Sequence, residues 1–182
     1  MITELEKRII SSFILIPLSF FFIYKGNYFF NLFLTFCYVI TSIEWFLMSK
    51  KNKYHFIGHI FLILSFYSAY ILRNNYDDES LFVFLFVIIT CIGTDIGGYF
   101  FGKILKGPKL TRISPNKTYS GAFGGLFLSI TFVYLFFNFS YLFYDKSLEF
   151  NVEKVVFVLM ISTISQIGDV IISYFKRLSK VK

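Results

Sequence analysis

Three carboxylates interrupt long apolar runs in this chain: Glu44, Asp95 and Asp169. A charged acid in such a run costs about 2–3 kcal/mol even on insertion scales, so it needs a cation, a polar partner or water to face. Glu44 stands six residues before Lys50, Asp95 seven before Gly102, and Asp169 seven before Lys176. At the rise of an α-helix, each lies about 9–10 Å inside the end of its run. Acids at one depth on helices running the same way are candidate ligands for a shared cation. The plainer alternative gives each acid its own polar contact, or lets Glu44 snorkel to the interface.

The surroundings of two of these acids extend the pattern. Ser165, Asp169, Ser173 and Lys176 fall at i, i+4, i+8 and i+11, one polar stripe down a helix, with Arg177 at its lower end. A carboxylate above two cations suits a metal-bound polyphosphate near a membrane surface. Around Asp95, Gly93, Gly97, Gly98 and Gly102 supply small surfaces that let helices approach closely. The segment KILKGPKLTRISPNKTYSGAFGG then brings Lys103, Lys106, Lys109, Arg112 and Lys117, with hydroxyls at Ser114, Thr118 and Ser120, ahead of Gly121, Gly124 and Gly125. A glycine-rich helix start beside lysines can cradle phosphate. Loop charge plus a packing motif accounts for most of the same residues.

The elements that must position these groups are membrane helices. Of 182 residues, 56% are apolar, 16% are charged and 27 are Phe, and the mean hydropathy is +0.66. A soluble domain would carry about 25% charged residues. Six runs are long enough to cross a bilayer, at 9–24, 28–48, 56–72, 80–102, 121–143 and 153–175. The first is expected to be an uncleaved helix kinked at Pro17. The expected fold is therefore all-α, a polytopic transmembrane helix bundle forming a single integral membrane domain over 1–182.

Charge sets the expected orientation. The N-terminus, the loops at 49–55 and 103–120 and the C-terminal tail hold 14 of the 18 basic residues. Only Lys25, Arg73, Lys146 and Lys154 fall on the other side. The positive-inside bias predicts cytoplasmic termini. Cys37 and Cys91 lie inside apolar runs and are expected to pack as small hydrophobes. The net charge of +7 follows this membrane pattern, and no nucleic-acid partner is expected.

The ordered motifs carry a more specific signal. Asp95-Ile-Gly-Gly-Tyr-Phe-Phe-Gly102, then Ser114-Pro-Asn-Lys117-Thr118 with Gly121 and Gly124-Gly125, resembles the phosphatidate cytidylyltransferase (CDP-diacylglycerol synthase) family. So do Gly168-Asp169 followed by Ser173-Tyr-Phe-Lys176-Arg177, and the Glu44-Trp45 pair. The similarity runs in order from about Arg8 to the end. It implies transfer of a cytidylyl group from CTP to phosphatidate in phospholipid biosynthesis, with Mg²⁺ or another divalent cation. Asp169 and Asp95 would hold the metal. Asp169, Lys176, Arg177 and Ser173 would be catalytic, and Ser114, Lys117, Thr118 and Lys182 would bind substrate. The resemblance also implies a bacterial inner membrane with the active face cytoplasmic, and a homodimer is compatible with the small-residue helix faces.

One departure accompanies the resemblance. The family signature continues past Ser-x-x-Lys-Arg to Lys-Asp, then to His-Gly-Gly and Asp-Arg-x-Asp segments. Lys182 takes the Lys position and the sequence stops there. The 182 residues alone are thus expected to be inactive or nearly so. Two alternatives stand beside cytidylyl transfer: a CTP-dependent lipid or polyprenol kinase, and an inactive membrane subunit that keeps only the packing surface. A small transporter using Asp95 and Asp169 as a relay would be expected to show internal repeats, and none is visible.

Overall fold

A computed structural model of the chain describes residues 4–50, 54–74, 79–111, 114, 117–140 and 149–179, excluding the side chains of 4, 5 and 7–10. Lys182 lies outside the described residues, as do Arg112, Pro115 and Asn116. Among the described residues six helices follow one another: α1 (Glu4–Lys25), α2 (Asn27–Ser49), α3 (His55–Asn74), α4 (Ser80–Leu105), α5 (Tyr119–Phe139) and α6 (Val152–Leu178). There is no strand among the described residues. Each helix contains or closely overlaps one of the six expected runs, and α1 continues through Pro17. Helices α2 to α6 are long and apolar enough to cross a membrane, whereas the apolar part of α1 is the shorter Ser11–Lys25.

The distribution of side chains is that of a protein in lipid. Large apolar residues lie exposed on every helix, among them Phe13, Leu32, Phe61, Tyr99, Phe127 and Ile164. The buried positions include small hydroxyl residues: Ser49, Thr90, Thr94, Ser129, Ser140 and Ser162. In water the first set would be a severe liability. In a bilayer, small residues belong at helix contacts and large ones against acyl chains. The buried hydroxyls are satisfied at home: Thr90 donates to the Phe86 carbonyl (2.8 Å), Ser129 to Leu126 (2.9 Å) and Ser140 to Phe137 (2.7 Å). The chain is an integral membrane protein.

The chain packs as two compact units, Met1–Phe84 and Leu85–Lys182. In the first, a tight turn at Gly26 (φ +65°) joins α1 to α2. The Arg73 guanidinium at the end of α3 donates to the Ile23 carbonyl (2.9 Å) and the Tyr24 carbonyl (3.3 Å). A cation thus closes the C-terminus of α1, where the helix dipole favours it. Helices α2 and α3 meet where Gly58 lies flat against the Trp45 ring. There the indole N–H donates to the His55 carbonyl (3.0 Å). Glu44 belongs to this unit and its side chain is exposed.

The second unit is built on close backbone contact. Gly93 lies against Ser129, Gly97 against Gly124 and Gly125, and Gly98 and Gly102 against Gly121. These pairings run in opposite order along the two helices, so α4 and α5 are antiparallel. A Cβ on Gly93 would sit 2.7 Å from the Ser129 Cα. Helix α6 is tied to both: Thr94 Oγ1 donates to Ser162 Oγ (2.7 Å), and Gln166 Nε2 donates to the Ala122 carbonyl (3.2 Å).

Candidate functional site

The segment between α4 and α5 folds back on itself before entering α5. Leu110 N donates to the Lys117 carbonyl (2.8 Å) and Tyr119 N to the Pro108 carbonyl (3.0 Å), around a bridge between Lys109 and Thr118. Ser120 Oγ accepts from Gly107 N (3.2 Å). Thr118 then caps α5, its Oγ1 accepting from Gly121 N (3.1 Å). Thr is a strong cap because its hydroxyl satisfies an orphan N–H of the first turn. This arrangement leaves little of a phosphate cradle at the helix start. The N–H groups of Tyr119 and Gly121 are already taken, and Gly121, Gly124 and Gly125 are buried against neighbouring helices.

What the fold-back does instead is deliver Lys117. Its Nζ lies 2.8 Å from Asp169 Oδ2, across 52 positions of sequence. The pair lines a cavity of about 280 Å³, together with Asp95, Thr118, Tyr99 and Gln166 among others. Asp95 comes from α4, Asp169 and Gln166 from α6, and Lys117 and Thr118 from the entry to α5. The Asp95 carboxylate interacts electrostatically with both Asp169 and Lys117. It makes no hydrogen bond or ion pair with another described residue. The cavity therefore holds two carboxylates and one ammonium, a balance one positive charge short of neutral.

Other sequence-derived candidates lie elsewhere. Ser173 donates its hydroxyl to the Asp169 carbonyl (2.7 Å), one turn back on its own helix. Ser114 braces the loop: its N–H donates to Thr111 Oγ1 (3.1 Å) and its carbonyl accepts from Lys117 N (3.0 Å). Lys176 and Arg177 are exposed in the last turn of α6 and do not line the cavity. Gln166, Thr94 and Tyr99 do line it and were not singled out from the sequence. The signal was present for two of them: Gln166 is i−3 from Asp169, and Tyr99 is i+4 from Asp95, each on the face of its acid.

A family model described as the cytidylyltransferase family matches residues 49–182. The chain belongs to the cytidylyltransferase family. That match includes the α4 acid, the capped fold-back and the α6 acid, all the elements that build the cavity. Relatives of this cytidylyltransferase-family chain carry a narrower name. It is 33% identical over 146 residues to a phosphatidate cytidylyltransferase of Staphylococcus aureus, covering 73% of this chain and 51% of that protein. It is 32% identical over 143 residues to one of Rickettsia bellii, covering 76% and 61%. To one of Brucella melitensis it is 41% identical over 96 residues, covering 52% and 33%. The chain thus spans between a third and three-fifths of the curated relatives it matches. No solved structure gives a significant match.

Among the described residues no group of three or more His, Cys, Asp or Glu is placed to hold a metal. Two carboxylates on one cavity still form a suitable donor set for Mg²⁺, which keeps waters and takes one or two carboxylates plus substrate phosphates.

Proposed function

We propose that this chain carries the site for cytidylyl transfer from CTP to phosphatidate, giving CDP-diacylglycerol and pyrophosphate. The observation that carries the reading is the meeting of Asp95, Asp169 and Lys117 on one cavity of a membrane helix bundle. A lipid headgroup and a soluble nucleotide can meet only near the membrane surface, and both acids lie about two turns from the ends of their apolar runs. The names of the relatives support the same reaction.

In this reading a phosphatidate phosphate oxygen attacks the α-phosphorus of CTP. The bond from that phosphorus to the bridging oxygen breaks, and pyrophosphate leaves with the electron pair. No covalent nucleophile on the protein is needed; the work is positioning and charge neutralisation. Asp169 and Asp95 would hold Mg²⁺, which when bound supplies charge for the phosphate oxygens and orients them. Lys117 would neutralise the triphosphate from the loop side. Lys176 and Arg177 would attract the anionic substrates from the end of α6, with Lys182 beyond them. Thr118 and Ser114 hold the loop that presents Lys117, and Ser173 packs under Asp169. The cavity would open to the cytoplasm, as the charge asymmetry of the loops predicts, in the inner membrane of a bacterium.

The test is incubation of the chain in detergent micelles with radiolabelled CTP, phosphatidate and Mg²⁺, followed by product separation. CDP-diacylglycerol with pyrophosphate supports the proposal, whereas a phosphorylated lipid with CDP would make the protein a kinase. No product at all would favour a membrane subunit without catalysis.

A further inference from the structure

We propose that the Lys117 ammonium is a placeholder for the divalent cation: it holds Asp169 until cation and nucleotide arrive together, and then transfers to the phosphates. The proposal rests on the reading of the cavity as a metal–nucleotide site and adds an order of events to it.

Three observations carry it. The first is position. Lys117 Nζ sits 2.8 Å from Asp169 Oδ2, on the carboxylate that would otherwise be open to a cation. A divalent cation brought to this carboxylate meets the ammonium's positive charge, so the two cations compete for it.

The second is exchangeability. The side chains are 27% and 59% exposed, so neither end of the pair is locked in place by packing. Its backbone is fixed on either side by the Lys117 N–H to the Ser114 carbonyl and the Lys117 carbonyl from Leu110 N. A flexible four-carbon stem on a fixed backbone can redirect its ammonium without moving the loop.

The third is charge. With Asp95 facing the same cavity and unpaired among the described residues, the resting set of two carboxylates and one ammonium is one positive charge short. A divalent cation on the acids makes them neutral, and Lys117 is then surplus there and available to an incoming phosphate. Neither ligand alone gives that outcome: phosphate alone meets two carboxylates, and the cation alone must displace Lys117.

The probe is Mn²⁺, read by electron paramagnetic resonance of the free ion, with the chain in detergent micelles. Lys117→Met should bind Mn²⁺ about two- to fivefold tighter than wild type without nucleotide, the range that a partly exposed ion pair is worth. Lys117→Arg, which keeps the charge and adds a fork that matches a carboxylate, should bind it more weakly. Lys109→Met removes an equal charge from the same fold-back at a residue that does not line the cavity, and should gain less than half as much as Lys117→Met. Added CTP should tighten Mn²⁺ binding by a larger factor in wild type than in Lys117→Met, because only wild type has an ammonium to hand over.

Mn²⁺ binding that is lost in Asp169→Asn but unchanged in Lys117→Met would leave the metal reading standing and overturn the placeholder. A gain in Lys109→Met equal to that in Lys117→Met would assign the effect to the general field and overturn it equally. No Mn²⁺ bound by wild type, Lys117→Met or the CTP-loaded chain would remove the metal reading itself, and the placeholder with it.

Discussion

Asp169 is at once the partner of Lys117, the anchor of the Ser173 hydroxyl through its carbonyl, and a wall of the cavity. Only the side chain carries the charge that the proposed chemistry needs. Asp169→Asn keeps the shape and the backbone acceptor, so insertion and folding should survive. Losing a charge-stabilising group from such a site typically costs about 10²–10³ in rate. Radiolabelled CDP-diacylglycerol formation should fall by at least about a hundredfold, and an active variant would remove Asp169 from the site. A second residue-scale prediction concerns the buried link between Thr94 and Ser162. A double-mutant cycle with Thr94→Val and Ser162→Ala, measured by unfolding in micelles, should give a coupling of about 0.6 kcal/mol, as interhelical hydrogen bonds in membranes do on average. A coupling of zero would mean that each hydroxyl is satisfied by its own helix alone.

Among the helices, the decisive contact is that of α4 with α5. A Cβ on Gly97 would run into the Gly124 carbonyl and come 2.8 Å from the Gly125 Cα, both backbone atoms that cannot rotate away. Gly97→Ala must therefore push the helices apart, and overpacking of this kind costs about 1–3 kcal/mol. Gly168 is the natural control, because a Cβ there would meet nothing within 4 Å. Alanine at that position removes only the flexibility of a helical glycine, so Gly168→Ala should be neutral or stabilise by up to about 1 kcal/mol. Thermal unfolding in micelles should rank Gly168→Ala at or above wild type and Gly97→Ala well below. The cap of α5 is a further element-scale test. Thr118→Ala removes the acceptor for Gly121 N and should cost about 0.5–2 kcal/mol. It should also loosen the fold-back that presents Lys117, so CTP binding should weaken along with stability.

For the whole molecule, the open quantity is orientation. Fourteen of 18 basic residues fall in segments joined by an even number of spans, which predicts both termini on the cytoplasmic side. Reporter fusions at residue 76 and residue 110 should then report opposite sides, with residue 110, next to the cavity, inside. The same side for both would break the six-span topology at α4, the helix that lies between the two positions. Residue 76 outside and residue 110 inside would place the cavity where a cytosolic nucleotide can reach it.

The sequence alone determined the number of helices, their approximate limits, the membrane as their solvent and the family. Each of these depends on local quantities: the length of an apolar run, a Gly or charged residue at its end, a motif in order. It also singled out Asp95 and Asp169, as charges against an apolar background, and Lys117 and Thr118, through the Ser-Pro-Asn-Lys-Thr segment that carries the resemblance. The tertiary structure alone decided which of these groups meet. Helices α4 and α5 are apolar almost all the way round, so their pattern does not say which face turns inward. That was decided by glycine contacts such as Gly97 on Gly124, and with it the placement of Asp95 and Asp169 on one cavity. The partner of Lys117 was equally illegible, since 52 residues separate it from Asp169 and a lysine in a basic loop reads first as topology. Ser173 shows the converse. Its place in the stripe of α6 suggested a role toward substrate, yet its hydroxyl turns to the carbonyl one turn back, a choice that helix geometry offers every serine and that periodicity cannot distinguish.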